Sequence, residues 1–461
     1  GKPSIQLTLS VPPLRLGQHC NWKDRQLSKL VNTITPTLKP SDHPYQNGAW
    51  TPNYEEYDAA DMEVIGTIPD DIDGIYVRNT ENPVHQSIGA YPPFDGDGML
   101  HMMKCSGGKA EYKNRFIRTS GFEAEAEAGE ALWGGFMVQP KKSKRPGIGL
   151  GSGMKDGSST DVLVRNGKIL STFWQCGEGY VLDAESLDTL GIEDWTPVEG
   201  LSAHPKLDGK TGELMFFNYG DKAPFMNYGV VGPDNELKHY VPIKLSGARL
   251  PHDMAISDNY SVLNDLPFFP IPEALEKGYF VPHFVDTMKA RFAVIPRYGN
   301  PEEVMWFEAD PTYVLHWTNC WEDGDEVVLE GYHQKCPFPP PVASMPAGYE
   351  LLGASIDLHS FKPHLHRWRF NLKTGETTEG RVCDEEHVEF GTLNPEYYGR
   401  EHRYVYSAHG EPGWFLFNGL VKHDLKNRTA TKVMFGEGRF GSETPFIPRK
   451  GATAEDDGYL I

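Results

Sequence analysis

At 461 residues the chain exceeds an average single domain, and 39% hydrophobic with 12% aromatic residues can supply a large packed core, which excludes a mostly disordered protein. The 44 basic against 64 acidic side chains leave a formal charge of −20, which repels phosphate backbones and excludes nucleic acid as a partner. Six scattered cysteines (Cys20, Cys105, Cys176, Cys320, Cys336 and Cys383) without a CxxC pair, and no apolar run of roughly 18 residues, point to a soluble protein of the reducing cytosol.

Residues 1–50 are proline-rich without sustained periodicity and read as an N-terminal arm; residues 51–461 read as a single domain. From Met62 onward, short β-rich runs alternate with Gly, Asp, Asn and Pro. Strands are expected at Gly74–Arg78, Val162–Arg165, Lys168–Phe173, Glu213–Phe217, Glu326–Glu330 and Tyr404–Ser407. Helices are few, with Gly121–Trp133 and Pro272–Lys277 the best candidates. Turn-then-strand units recur at Arg165-Asn-Gly, Lys210-Thr-Gly, Ser257-Asp-Asn, Glu322-Asp-Gly and Glu455-Asp-Asp-Gly. The first three are spaced at about the length of a four-stranded propeller blade, so an all-β propeller of six or seven blades is expected. Loop insertions fall around Pro267–His283 and in the Pro-rich Cys336–Pro346.

This repeat places three histidines in register. His204 stands eight residues before Gly212, His252 seven before Asn259 and His316 eight before Gly324, each leading into a hairpin turn. Equivalent positions in successive blades converge on the axis. The preceding repeat has Ser159 or Thr160 there, so the fold itself does not require a histidine. Neutral imidazoles suit iron, zinc or copper, and carboxylates behind them would fix their tautomers. A second histidine run, His359, His364 and His366, leads into the alternating segment Arg367–Leu372 and reads instead as an outer, solvated strand.

Several stretches together resemble the carotenoid cleavage oxygenases, a family that includes stilbene-cleaving dioxygenases. They are Tyr76-Val-Arg-Asn79, Phe94-Asp-Gly-Asp-Gly-Met99, Ser202-Ala-His-Pro-Lys206, Pro251-His-Asp253, Leu315-His316, Val388-Glu-Phe390, Ser442-Glu-Thr-Pro-Phe-Ile-Pro-Arg449 and Glu455-Asp-Asp-Gly458. The resemblance implies a seven-bladed β-propeller with a few short helices and loops capping one face, and an axial iron(II) on four histidines with three glutamates behind them. Carried over by motif, His204, His252 and His316 are three of the ligands, and Glu389 and Glu443 two of the glutamates. The implied reaction is cleavage of a C=C bond of a lipophilic alkene by dioxygen. Consistent with this, the sequence contains no Gly-x-Ser-x-Gly and no P-loop.

The sequence departs from that pattern in two places. The family's fourth histidine belongs to a motif that would lie beyond Ile461, so the last blade is expected to be cut short; the last histidine present is His423. The first glutamate position is held by Gln175, with Glu178 as its alternative. The tyrosine and lysine that bind a phenol in stilbene-cleaving relatives correspond to Phe136 and Trp174, which favours a carotenoid or apocarotenoid over a stilbene or phenylpropene. Phe136, Trp174, Phe268, Phe269 and Phe280 are the expected lining of a lipophilic tunnel. The basic, glycine-rich segment Pro140–Gly151 is the expected place of any peripheral membrane contact. The contrasting reading is a ligand-binding propeller without oxygenase activity.

Overall fold

The computed structural model describes residues 28–41, 43–341 and 348–461. Residues 1–27 of the expected arm, Cys20 included, and part of the Pro-rich insertion lie outside the described residues. The regular structure of the described chain is mostly β, with six antiparallel sheets arranged as propeller blades and two further two-stranded ribbons. Blade 1 has five strands, in the spatial order Ser28–Thr33, Glu55–Ala59, Lys109–Phe116, Asp97–Ser106, Gly74–Asn82. Blades 2 to 6 have four strands each and begin with Asp161–Arg165, Lys206–Leu207, Ala255–Ile256, Tyr313–Asp323 and Val388–Thr392.

Local chemistry accounts for the hairpins. In the first turn of blade 2, Asn166 and Gly167 both take positive φ, 51° and 73°, the backbone a two-residue hairpin needs to match strand twist. Along His364–Asn371 in blade 5, Leu365, Trp368 and Phe370 are fully buried while the partly exposed Arg367 and Arg369 pair with Glu330 and Glu326. The core lies between blades. Leu100, Met102, Ile169 and Leu182 pack blade 1 on blade 2. Leu170, Leu214 and Phe216 pack blade 2 on blade 3, and Met215, Phe217, Tyr228 and Leu263 continue into blade 4. Phe292, Trp317, Leu329 and Trp368 join blades 4 and 5, and Tyr332, Leu365, Val388 and Val405 join blades 5 and 6.

The expected count of seven blades is corrected to six. The turn at Glu455-Asp-Asp-Gly, read as another blade unit, joins strands of only three residues, Phe446–Pro448 and Gly458–Leu460, which pair with each other alone. This ribbon bridges the two end blades. Phe446 stacks on Tyr406 of blade 6 at 5.3 Å, and Asp71, in the blade 1 loop that leads into Gly74–Asn82, accepts from Tyr459 Oη and Lys450 N at 2.8 and 3.0 Å.

Two insertions carry most of the remaining structure. Blade 4 is interrupted by the ribbon Phe268–Pro270 with Pro282–Phe284 and by a short helix at Pro272–Leu275, close to expectation. The other expected helix is α1, Ser120–Ala128. Thr119 Oγ1 caps it by accepting from Phe122 N, and it stops where Gly129 turns left-handed at φ 68°, short of Trp133. The insertion of blade 5 holds two helices that sequence periodicity did not reveal, Glu350–Ile356 and Leu358–Phe361.

Candidate metal centre

His204 and His252, just ahead of the first strands of blades 3 and 4, meet His316 on the first strand of blade 5. One ring nitrogen of each lies within 4.8 Å of the others, and their ring centroids are 4.8, 5.0 and 5.1 Å apart. His204 is left-handed, φ 59°, a conformation rare outside glycine and common where a backbone is held to aim a functional side chain.

The hydrogen bonds settle which nitrogens carry lone pairs. A carboxylate only accepts, so His204 donates Nδ1–H to Asp161 Oδ2 at 2.9 Å and His316 donates Nδ1–H to Glu389 Oε2 at 2.8 Å. Both Nε2 atoms are thereby left unprotonated when the rings are neutral. His204 Nε2 stands 3.0 Å from His252 Nε2, two ring nitrogens facing each other as around a shared cation. Burial, reinforced by His204 and His316, pushes the His252 imidazole well below the ordinary range, so it is neutral at pH 7. For His316, burial pulls downward but the Glu389 charge and hydrogen bond outweigh it. Asp161 is likewise pushed up by burial, yet ends below the usual carboxylate range because His204 and Lys206 favour its anion.

A second layer stitches the three strands. Asp253, next to His252 and almost fully buried, pairs with Lys206 Nζ at 2.7 Å and accepts Trp317 N at 2.8 Å. Its carbonyl accepts Asn264 Nδ2 at 2.8 Å. One carboxylate thus ties together residues adjoining all three histidines. Gly331 passes so close behind that a Cβ there would lie 2.5 Å from the Trp317 ring and 3.0 Å from His316 O. On the open side, the Phe390 ring lies 4.5 Å from that of His316.

The expected carboxylates are distributed differently. Glu389 stands behind His316, its other oxygen buried and unpartnered. Glu443 is exposed, within electrostatic reach of Asp161, His316 and His204, and hydrogen-bonds none of the histidines. Gln175 is buried, and its Oε1 accepts Leu150 N at 3.1 Å rather than a histidine. Glu178 is exposed and accepts from Tyr180 Oη at 3.1 Å. The carboxylate behind His204 is Asp161, which motif comparison passed over. The signal was available, because Asp161 directly follows Thr160 at the repeat position preceding His204.

Phe136, Trp174 and Phe280 form one group of rings, with Phe136 at 5.4 and 6.0 Å from the other two. Phe268 packs 4.7 Å from Tyr313, on the strand of His316. Phe269 points to the opposite face of its ribbon, under the Arg249 guanidinium at 4.4 Å and beside His283 at 4.5 Å. The second histidine run separates. His364 and His366 are on the third strand of blade 5, not on an outer one, and His366 is buried 4.5 Å from Trp368 and 4.8 Å from His333. His359 belongs to the short helix before Pro363 and points elsewhere. His423 lies inside blade 6 on Cys383 Sγ and Ser407 Oγ.

Three imidazoles with a ring nitrogen of each within 4.8 Å of the others, and with carboxylates fixing the tautomers of two, are a donor set suited to a transition-metal ion. Comparison with known proteins is specific. The profile of the retinal pigment epithelial membrane protein family matches residues 50–461, and the chain belongs to this family, the carotenoid cleavage oxygenases. The carotenoid 9,10(9',10')-cleavage dioxygenase 1 of Pisum sativum is 32% identical over 457 residues, 91% of this chain and 82% of its own. A carotenoid cleavage oxygenase of Mycobacterium tuberculosis is 30% identical over 481 aligned positions, 93% of this chain and 91% of its own. The lignostilbene dioxygenase of Pseudomonas brassicacearum shares the fold at TM-score 0.79 and 24% identity, covering 92% of this chain and 90% of that one. Among the described residues no helix is long and apolar enough to cross a membrane.

Proposed function

We propose that the protein is a non-haem iron(II) dioxygenase that cleaves a C=C bond of an apolar conjugated alkene, a carotenoid or apocarotenoid, into two carbonyl products. The observation that carries this reading is the facing pair of Nε2 atoms of His204 and His252 at 3.0 Å, with Asp161 and Glu389 holding the outer nitrogens of His204 and His316. Iron(II), when bound by His204, His252 and His316, supplies dioxygen activation. Both oxygen atoms end in the carbonyl products, so the reaction needs no external reductant.

The protein's own part is positional. Asp161 and Glu389 keep the Nε2 lone pairs of His204 and His316 aimed inward and add negative charge that offsets the cation. Glu443, its carboxyl raised by desolvation and by Asp161, stands within electrostatic reach without a hydrogen bond to any of the three rings. Phe390 against His316, with Phe136, Trp174, Phe280 and Phe268, supplies apolar walls that hold a polyene and exclude water. Phe136 and Trp174 offer no group to deprotonate a phenol, which supports a hydrocarbon-like substrate. Five free cysteines among the described residues are in keeping with a reducing compartment such as the cytosol.

The test is to incubate the iron-loaded protein with an apocarotenoid and, separately, a hydroxystilbene, and to follow aldehyde products by chromatography. Apocarotenoid-derived aldehyde, lost in His252→Ala, is the expected result. Aldehyde from the stilbene alone would overturn the substrate class, and no product from either with iron bound would overturn the enzyme reading.

A further inference from the structure

His359, His387 and His409 come together from three separate segments, none of which carries an axial histidine. One ring nitrogen of each lies within 4.8 Å of the others. Close backbone approach builds the group. The helix Leu358–Phe361 rests on the end of strand Tyr404–Gly410, where a Cβ on Gly410 would stand 2.8 Å from that of Leu358. His387 is left-handed, φ 64°, just ahead of strand Val388–Thr392. Its backbone is pinned, with N donating to Pro363 O and O accepting from Gly410 N, both at 3.0 Å.

The hydrogen bonds dictate the tautomers of two rings. His359 Nε2 faces Gly410 O at 2.8 Å; a carbonyl only accepts, so Nε2 carries the proton and Nδ1 the lone pair. His409 Nδ1 faces Asn418 Oδ1 at 3.0 Å. The Asn418 amide is oriented by donating Nδ2–H to the Glu411 carboxylate, so Oδ1 must be the atom toward His409. His409 Nδ1 is therefore the donor and its Nε2 holds the lone pair. A histidine whose outer N–H is held by a backbone carbonyl, as that of His359 is by Gly410, is the arrangement found behind metal-bound imidazoles, and the Asn418 amide holds His409 in a comparable way. The His387 ring has no hydrogen bond among the described residues and lies stacked on His359 at 3.9 Å and 18°.

We propose that His359, His387 and His409 form a second site, independent of the axial centre, for a divalent transition-metal ion of the zinc class. Neutral imidazoles without a carboxylate among them select such an ion over calcium or magnesium. Metal–nitrogen bonds of about 2.0–2.1 Å bring tetrahedral ligand atoms to about 3.3 Å from one another, so the group must tighten. The unbonded His387 ring supplies that movement by turning out of its stack, and water completes the coordination. His387 is two residues from Glu389, so the ion would tie the helix Leu358–Phe361 to the strand whose carboxylate stands behind His316.

The experiment uses the iron-loaded full chain, to which cobalt(II) is added as a coloured zinc surrogate before gel filtration. A single additional equivalent of cobalt, retained without loss of iron and showing the intense visible bands of a nitrogen-ligated, low-coordinate ion, is expected. His387→Ala and His409→Ala should each lose it, whereas His252→Ala should keep it. No retained cobalt, or retention undiminished in folded His387→Ala and His409→Ala proteins, would overturn the proposal. Should those variants not fold, X-ray absorption at the cobalt edge of the unmodified protein decides. Three imidazoles support the site, and an all-oxygen shell overturns it.

Discussion

Asp161 Oδ2 accepts the Nδ1–H of His204 at 2.9 Å, tying the first strand of blade 2 to the histidine that opens blade 3. A partner of this kind sets both the tautomer and the aim of a ligand ring, and its loss commonly costs 10- to 100-fold in metal affinity. Asp161→Ala should therefore weaken iron binding by about that factor, measured by competition with a chelator, while the far-ultraviolet β spectrum stays unchanged. Asp161→Asn keeps an acceptor oxygen but no charge and should fall between. Unaltered affinity in both variants would remove Asp161 from the centre.

Metal binding to the axial histidines should also appear as stability, since a ligand that binds only the folded state adds RT ln(1 + [L]/Kd), about 2.7 kcal/mol at 100 times Kd. Ferrous iron should raise the midpoint of thermal unfolding in a concentration-dependent way, and a chelator should reverse the rise. In His252→Ala, which removes one of the two facing Nε2 atoms, the rise should largely disappear. An equal rise in that variant would place the ion elsewhere.

The three histidines were legible because each stands seven or eight residues ahead of a hairpin turn, and equal spacing in a repeat means equal position in space. The support behind them was only half legible. Glu389 follows its motif, but Asp161 was hidden because motif comparison pointed to Gln175, whose side chain folds back onto the loop at Leu150. The blade count failed at the Glu455 turn for a related reason. A turn signature reveals a hairpin but not how many further strands join it. His359, His364 and His366 look alike in sequence, yet Lys362 turns left-handed at φ 49° and Pro363 follows, so the chain changes direction and sends them to different neighbours. The link from Asp253 to Lys206 and Trp317 spans 47 and 64 positions, beyond the reach of any local pattern.

Behind the ribbon of blade 4, Asp265 is completely buried and shared by two guanidinium groups. Arg249 Nε donates to one oxygen and Arg291 Nη1 to the other, at 3.2 Å, while Arg249 also covers the ring of Phe269. Removing one partner of a buried pair strands the other charge in a medium that cannot solvate it, at a typical cost of 3–5 kcal/mol. Asp265→Ala should lower the unfolding free energy by about that amount, seen as a lower urea midpoint at an unchanged m-value. A loss below about 1 kcal/mol would mean that water reaches Arg249.

Acid should unfold the protein partly through histidines that are buried neutral. Burial pushes His423 down to about 4 despite the nearby Glu385 and Glu330, and it is fully enclosed between Cys383 and Ser407. Burial, with His366 and His364 beside it, lowers His333 to about 3, and burial, with Arg381 and His366, lowers His364 to about 4. The sign follows from proton counting. Above the unfolded value near 6.5, His423 is neutral in both states and adds no pH dependence. As pH falls from there toward about 4, the unfolded chain takes up the proton that the folded chain refuses, and stability is lost. In that window His423 should contribute a slope of about 1.4 kcal/mol per pH unit. His423→Gln, which cannot titrate, should therefore show a shallower decline of unfolding free energy between pH 6 and pH 4.5 than the unmodified protein, with the two curves running parallel above pH 7. Parallel curves throughout would show that His423 takes up its proton in the folded state as readily as in the unfolded one.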